Sequence, residues 1–292
     1  MSDLGNHVRY LESGGLKRRY VLHIPPRHPP QPRPLLVMLD GRGGTPWTAM
    51  KITGWTKTAD THDVLVAYPE ARRIDPQGPL HFLTNPQMWN AGTGGSDAER
   101  PPVDDLSFLN AMLDDIPKLA DVDPSRIYMT GFSNGASMTY RFAAAFPSRL
   151  AAIAPIAGHD RTDGEPLPIP VPSLTIFGKK DPLSPYEGGR VELPWGKVES
   201  RPPAFASTQR WAVRCGHARG DFLHERGPGY DHYHYGQTGK PNEVVFYGVD
   251  RLGHVWPGGH RLLPESLVGP ADDTLIANDI IWSFFSRHQT KT

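Results

Sequence analysis

Apolar residues recur along this chain in two rhythms. Around residues 7–11 and 20–24 they alternate with polar ones, the pattern of strands with one solvated face, and predict an antiparallel pair. Further on the apolar residues form short unbroken runs: "LLVML" (35–39), "VLVAY" (64–68), residues 127–130, "AAIAPIAG" (151–158), "SLTIFG" (173–178) and "EVVFYGV" (243–249). Runs this short, bounded by Gly, Pro and polar residues, read as strands buried on both faces. Helical spacing fills the intervals. It predicts a helix through residues 47–62 and another opened by Asp104 and Asp105, with Leu106, Leu109, Leu113 and Ile116 on one face. An alanine-rich helix follows Asn134, a further one lies near residues 207–215, and the last carries Ile276, Ile280 and Phe284, flanked by Ile281 and Phe285. Strands alternating with helices predict an α/β chain with a mostly parallel central sheet covered on both faces. No internal repeat or linker divides it, so residues 1–292 are expected to form one catalytic domain.

Composition narrows the function classes. Lys plus Arg and Asp plus Glu both number 31, so the balance gives no electrostatic reason to expect nucleic acid or an anionic membrane as partner. No window approaches the roughly 18 apolar residues of a membrane span. The start, "MSDLGNHVRY", has neither a basic segment nor an apolar core, so no signal peptide is predicted. Cys215 is the single cysteine, which excludes an intramolecular disulfide, and it is expected as a small buried hydrophobe on a helix. Residues 25–34, "PPRHPPQPRP", read as a stiff surface connection.

One junction carries chemistry. In "RIYMTGFSNGASMTYRFAAAF" an apolar strand passes into a helix through Gly131-Phe132-Ser133-Asn134-Gly135. A serine between two glycines at a strand-to-helix turn is the nucleophile elbow. The turn is too sharp for flanking side chains, and it lifts the serine hydroxyl above the sheet beside a helix N-terminus. A hydroxyl is a weak nucleophile alone, so Ser133 requires a base and an acid further along the chain.

Asp181, just past the glycine ending the strand 173–178, is the candidate acid; Asp250 is second choice and Asp160 a third. His254, in the loop "GVDRLGHVWPGG" after the last strand, is the candidate base, ahead of His260. The order Ser133, Asp181, His254 is that of α/β-hydrolases. An oxyanion hole needs two converging N–H groups. Asn134 supplies one, and Arg42 in "LLVMLDGRGGT" is the best second donor, through its backbone, among Gly41, Gly43 and Gly44.

The segments "GWTKTADTHDVLVAYPE", "MWNAG", "VDDLSFLNAMLDDI", "VDPSRIYMTGFSNGASMTYRFA", "KDPLSPYEGG" and "GHVWPGG" occur in the order seen in bacterial esterases. By these the chain resembles the polyhydroxybutyrate depolymerase and feruloyl esterase family over nearly its whole length. The resemblance implies an α/β-hydrolase fold and a triad of Ser133, Asp181 and His254. It also implies N–H donors at Arg42 and Asn134, no metal and no cofactor. Its members are commonly exported, which it implies here for a form carrying a leader. Two departures stand out: Asp40-Gly41-Arg42 replaces the family's His-Gly followed by Gly or Cys, and Met88 replaces a cysteine before Trp89-Asn90.

Trp256, two residues past the base, and Trp89 are candidate substrate-binding residues, each an aromatic wall for an acyl group. His232 and His234 in "YDHYHY" share a strand face, read as a solvated edge strand because a third metal ligand is not evident. The expected activity is hydrolysis of small or polymeric carboxylic esters, feruloyl and polyhydroxyalkanoate types among them. The rivals are acyl transfer by the same triad and a catalytically silent polymer- or polysaccharide-binding relative.

Overall fold

Buried strands and amphipathic helices alternate as the apolar pattern requires. The computed structural model describes residues 4–27, 31–92 and 103–290. His28–Pro30 of the proline-rich connection lies outside the described residues, as do the first three of the chain. The first half comprises β1 (Gly5–Ser13), β2 (Leu16–Ile24), β3 (Arg33–Leu39), α1 (Pro46–Thr53), α2 (Trp55–His62), β4 (Leu65–Pro69), β5 (Arg72–Arg73), β6 (Gln87–Met88) and α3 (Asp105–Asp115). The nucleophile segment gives β7 (Val122–Phe132) and α4 (Asn134–Ala145), followed by β8 (Ala152–Ile156) and β9 (Ser173–Gly178). Then come β10 (Gly189–Glu192), β11 (Val198–Arg201), α5 (Ala204–Arg214), β12 (Phe222–Gly227), β13 (Tyr230–Tyr235) and β14 (Val244–Val249). Two helices, α6 (Glu265–Val268) and α7 (Ala277–Phe285), close the chain.

Ten strands form one sheet in the order β1-β2-β4-β3-β7-β8-β9-β14-β13-β12. The central strands, β4 through β14 in that order, run parallel, and antiparallel pairs extend both edges. β3, β4, β8 and β9 are buried along their whole length. Side chains of β3 alternate between two cores, which is why its run is uninterrupted. Leu35, Val37 and Leu39 pack with Phe108, Leu109, Phe142 and Trp211 on one face. Leu36 and Met38 pack with Trp55, Ile281, Phe284 and Phe285 on the other. Both faces are therefore covered, the condition for a parallel sheet. Among the described residues no helix is long and apolar enough to cross a membrane.

Four expectations need correction. The helix expected through residues 47–62 is two helices, broken at Gly54, whose φ of 67° is left-handed and ends α1. On α3 Leu109, Leu113 and, just past the helix, Ile116 are buried as expected and are joined by Phe108 and Met112, whereas Leu106 is only partly covered. On α7 the buried stripe is Ala277, Ile281, Phe284 and Phe285, whereas Ile276 is 40% exposed at the helix start. Finally, β13 is not an edge strand: β12 pairs along its outer side. That outermost strand, "FLHERG", is mostly exposed and so lacks the apolar signature of the others.

Candidate active site

Backbone crowding dictates the glycines around Ser133. A Cβ on Gly131 would lie 2.4 Å from the Gly135 carbonyl oxygen, and one on Gly135 would lie 2.3 Å from that of Leu39. Ser133 itself takes the strained pair φ 56° and ψ −116°, held there as its N–H donates to Ile156 O at 2.9 Å. Gly158, a position the sequence pattern did not single out, completes the elbow. Its Cβ would fall 2.3 Å from Ser133 O. The helix α4 starts at Asn134, so the positive end of its dipole adjoins the serine.

His254 lies in the loop after β14, its N–H donating to Val268 O at 2.6 Å. Its imidazole Nδ1 donates to Asp181 Oδ2 at 2.6 Å, and both side chains are buried. The other Asp181 oxygen accepts the N–H groups of Leu183 and Ser184, each at 2.8 Å. Gly178 and Gly253 allow this approach: a Cβ on either would collide with a backbone carbonyl, of Leu252 or Val268. The rival acids are engaged elsewhere. Asp250 is held by Arg226 at 2.9 Å and Lys179 at 2.8 Å, hydrogen bonds that keep its carboxyl well below the ordinary range. Asp160 accepts the Thr162 hydroxyl at 2.6 Å and faces Arg210 and Arg214. His260 is exposed.

Asp40 braces the loop opposite. One carboxyl oxygen accepts the Gly41 N–H at 2.8 Å and the other the Thr48 hydroxyl at 2.6 Å. Burial outweighs these bonds and raises the Asp40 carboxyl to about 6. A Cβ on Gly41 would come 3.2 Å from Ser133 Cβ, so this loop abuts Ser133. Arg42 and Asn134 both line the cleft with Ser133 and His254. The Arg42 guanidinium lies 4.2 Å above the Trp195 ring and donates to Leu83 O at 3.0 Å, so it is a cleft wall, not a surface charge.

The two expected substrate-binding tryptophans do not line the cleft. Trp89, 1% exposed, donates its indole N–H to Asp40 O at 3.0 Å, and its backbone N–H is accepted by the Asn134 side chain at 2.7 Å. It ties the loop that carries Arg42 to the start of α4 at Asn134. Trp256, also 1% exposed, donates to Asn278 and packs edge-on to Phe132 at 6.3 Å between ring centres. Both are buried because each indole N–H finds a partner inside, Asp40 O or Asn278 Oδ1, while the ring packs in a core cluster.

Two hollows meet at Ser133 and His254, sharing Arg42, Leu183 and Trp195. One, about 800 Å³ counting its open mouth, is walled by Phe82, Phe132, Ile52, Leu262 and Leu263. The other, about 530 Å³ on the same measure, presents Ser137, His159, Arg161, Ser184 and Arg201. Trp195 projects from the hairpin β10–β11. Nothing in its local sequence marks it, because its place depends on where that hairpin lands.

His232 lies 3.6 Å from Glu225 and His234 lies 3.3 Å from Glu243. Among the described residues no group of three or more His, Cys, Asp or Glu could hold a metal ion. Cys215 is buried at the end of α5, and desolvation pushes its thiol up to about 12, where it is inert.

A mostly parallel sheet with a serine elbow after a central strand defines the α/β-hydrolase fold. Solved structures agree on that fold. Acetyl xylan esterase from Aspergillus awamori superposes with a TM-score of 0.65 at 13% identity, over 96% of this chain and 99% of that one. The native structure of sOPH gives 0.53 at 20% identity, over 72% and 75%. A protein of Nocardia uniformis subsp. tsuyamanensis named as an esterase, NocK, is 30% identical over 97% of this chain and 83% of its own length. Feruloyl esterase C of Emericella nidulans is 29% identical over 59% of this chain and 58% of its own length. Poly(3-hydroxyalkanoate) depolymerase C of Paucimonas lemoignei is 33% identical over 47% and 30%. No family model matches the chain. The chain belongs to the family of α/β-hydrolase esterases that includes these relatives, and it is a carboxylic ester hydrolase.

Proposed function

We propose that the chain hydrolyses its ester through a covalent acyl-enzyme on Ser133. As Ser133 Oγ attacks the ester carbonyl, His254 takes the hydroxyl proton and Asp181 stabilises the resulting imidazolium. Nδ1 is turned to Asp181, which leaves Nε2 for the serine. The N–H groups of Arg42 and Asn134 receive the oxyanion, where one donor is worth roughly 3–4 kcal/mol. The bond to the alcohol then breaks, and the alcohol leaves with the proton from His254. Water gives a proton to the same imidazole and attacks the acyl carbonyl, releasing the acid and restoring the serine. The observation that carries this reading is the 2.6 Å His254–Asp181 hydrogen bond in a cleft that Ser133 shares.

Feruloyl- and hydroxyalkanoate-type esters, small or presented by a polymer, are the substrates this reading favours. The apolar hollow beside Ser133, with Phe82, Trp195, Leu262 and Leu263, suits an aryl acid or a short alkyl chain. The names of the relatives point the same way. A panel of 4-nitrophenyl acetate, methyl ferulate and a polyhydroxybutyrate suspension tests it. Turnover of one of the last two above a Ser133→Ala control is expected. Hydrolysis of the acetate alone would discard these substrate classes.

A further inference from the structure

The acid loop is held by a residue that no step above employs. His159 follows Gly158 directly after β8, so its backbone adjoins the elbow, and its ring lines the polar hollow. It is buried, and both ring nitrogens have serine partners. Nε2 is 2.7 Å from Ser184 Oγ, and Nδ1 is 3.2 Å from Ser207 Oγ on α5. Ser184 is also a residue whose N–H holds Asp181 Oδ1, at 2.8 Å. A continuous path thus runs from α5 through His159 and Ser184 to Asp181 and on to His254.

We infer that His159 is a positioning residue for this reaction, fixing the Asp181 carboxylate through Ser184. The inference rests on the assignment of Asp181 as the acid. An Asp181 loop that tilted away would aim the His254 imidazole off the serine, and a misplacement of about 1 Å is worth up to roughly 100-fold in rate. The chemistry of an imidazole suits the task. In its neutral form it offers one donor and one acceptor to two hydroxyls, each of which can answer either. Burial, reinforced by Arg201, Arg161, Arg210 and His254, pushes the His159 imidazole down to about 3. It therefore stays neutral at working pH and places no charge against the imidazolium that His254 becomes during turnover. Asp160, its neighbour in the chain, turns its carboxylate to Arg210 and Arg214 instead.

The test compares His159→Leu, His159→Gln, Ser184→Ala and Asp181→Asn in the full chain, by kcat and KM on 4-nitrophenyl acetate with melting curves alongside. His159→Leu and Ser184→Ala should each lower kcat by about 10- to 100-fold with KM within about twofold. His159→Gln, which keeps a donor and an acceptor, should recover most of that loss. The double variant His159→Leu/Ser184→Ala should lose no more than the worse single one, since both cut the same path. Unchanged kcat in Ser184→Ala, a Gln variant as slow as the Leu variant, or losses that multiply would each overturn the inference. If His159→Leu does not fold, Ser184→Ala and His159→Gln decide the matter by the same criteria. A silent Asp181→Asn would instead overturn the assignment of the acid, which separates the two failures.

Discussion

His254 Nδ1 stands 2.6 Å from Asp181 Oδ2, across 73 residues of chain, and both side chains are buried. The partner oxygen of Asp181 is tied to two backbone N–H groups, so the carboxylate has one orientation to offer the imidazole. Asp250, though only four residues from His254, is occupied by Arg226 and Lys179. Asp181→Asn should therefore lower kcat by up to about 10⁴-fold, the loss known where a triad acid can no longer select the tautomer. Asp250→Asn should change it little. Steady-state rates on one aryl ester suffice, and the opposite ranking would transfer the role to Asp250.

The buried Asp40 side chain should give the fold a pH dependence. Burial raises its carboxyl from 3.8 to about 6. A raised folded value means that the protonated form is favoured by folding. Its contribution is whole below the unfolded value of 3.8 and is lost as pH rises through about 6. Asp40→Asn retains a neutral donor and acceptor for Thr48 and Gly41 and removes the ionisation. Between about pH 4 and about pH 7.5 the wild type should lose up to about 3 kcal/mol relative to the variant. Denaturant melts at the two pH values measure this. A constant difference between the proteins would show that Asp40 does not titrate in that range.

The aromatic residues divide by what they touch. Trp256 is core, so Trp256→Ala should cost about 3–5 kcal/mol of stability and slow all esters alike. Trp195 lines both hollows, so Trp195→Ala should reduce turnover of ferulate-type esters more than of acetates, with little change in melting temperature. Parallel kinetics on the two ester types separate the cases. A selective effect at Trp256 with none at Trp195 would invert the assignment.

The elbow is legible in the sequence because its first constraint is local: Gly131 faces the Gly135 carbonyl within the same turn, whereas Gly135 and Gly158 are small because of contacts across neighbouring strands, with Leu39 O and Ser133 O. The meeting of Asp181 and His254 follows from topology, each lying in a loop past a strand end at the same edge of a parallel sheet. Trp89 and Trp256 lie buried and line neither hollow, because a tryptophan's place in the sequence, even two residues from His254, says nothing about which way its indole faces. Trp195 and His159 gave no signal. One arrives on the hairpin β10–β11, and the other matters through hydroxyls of Ser184 and Ser207 that lie far off in the chain. The break at Gly54 was visible as a glycine within a helical pattern, but the same pattern also fits one continuous helix.

The proposed mechanism depends above all on Ser133 as the nucleophile. A fluorophosphonate probe, followed by peptide mass analysis, tests it most directly in the folded wild type, Ser133→Ala and His254→Ala. One adduct is expected, on the peptide carrying Ser133, formed quickly in the wild type, slowly in His254→Ala and not at all in Ser133→Ala. Ser133→Ala should also keep less than about a hundredth of the ester turnover. An adduct on another residue, or a Ser133→Ala protein that still turns over ester at a tenth of the wild-type rate or so, would contradict it.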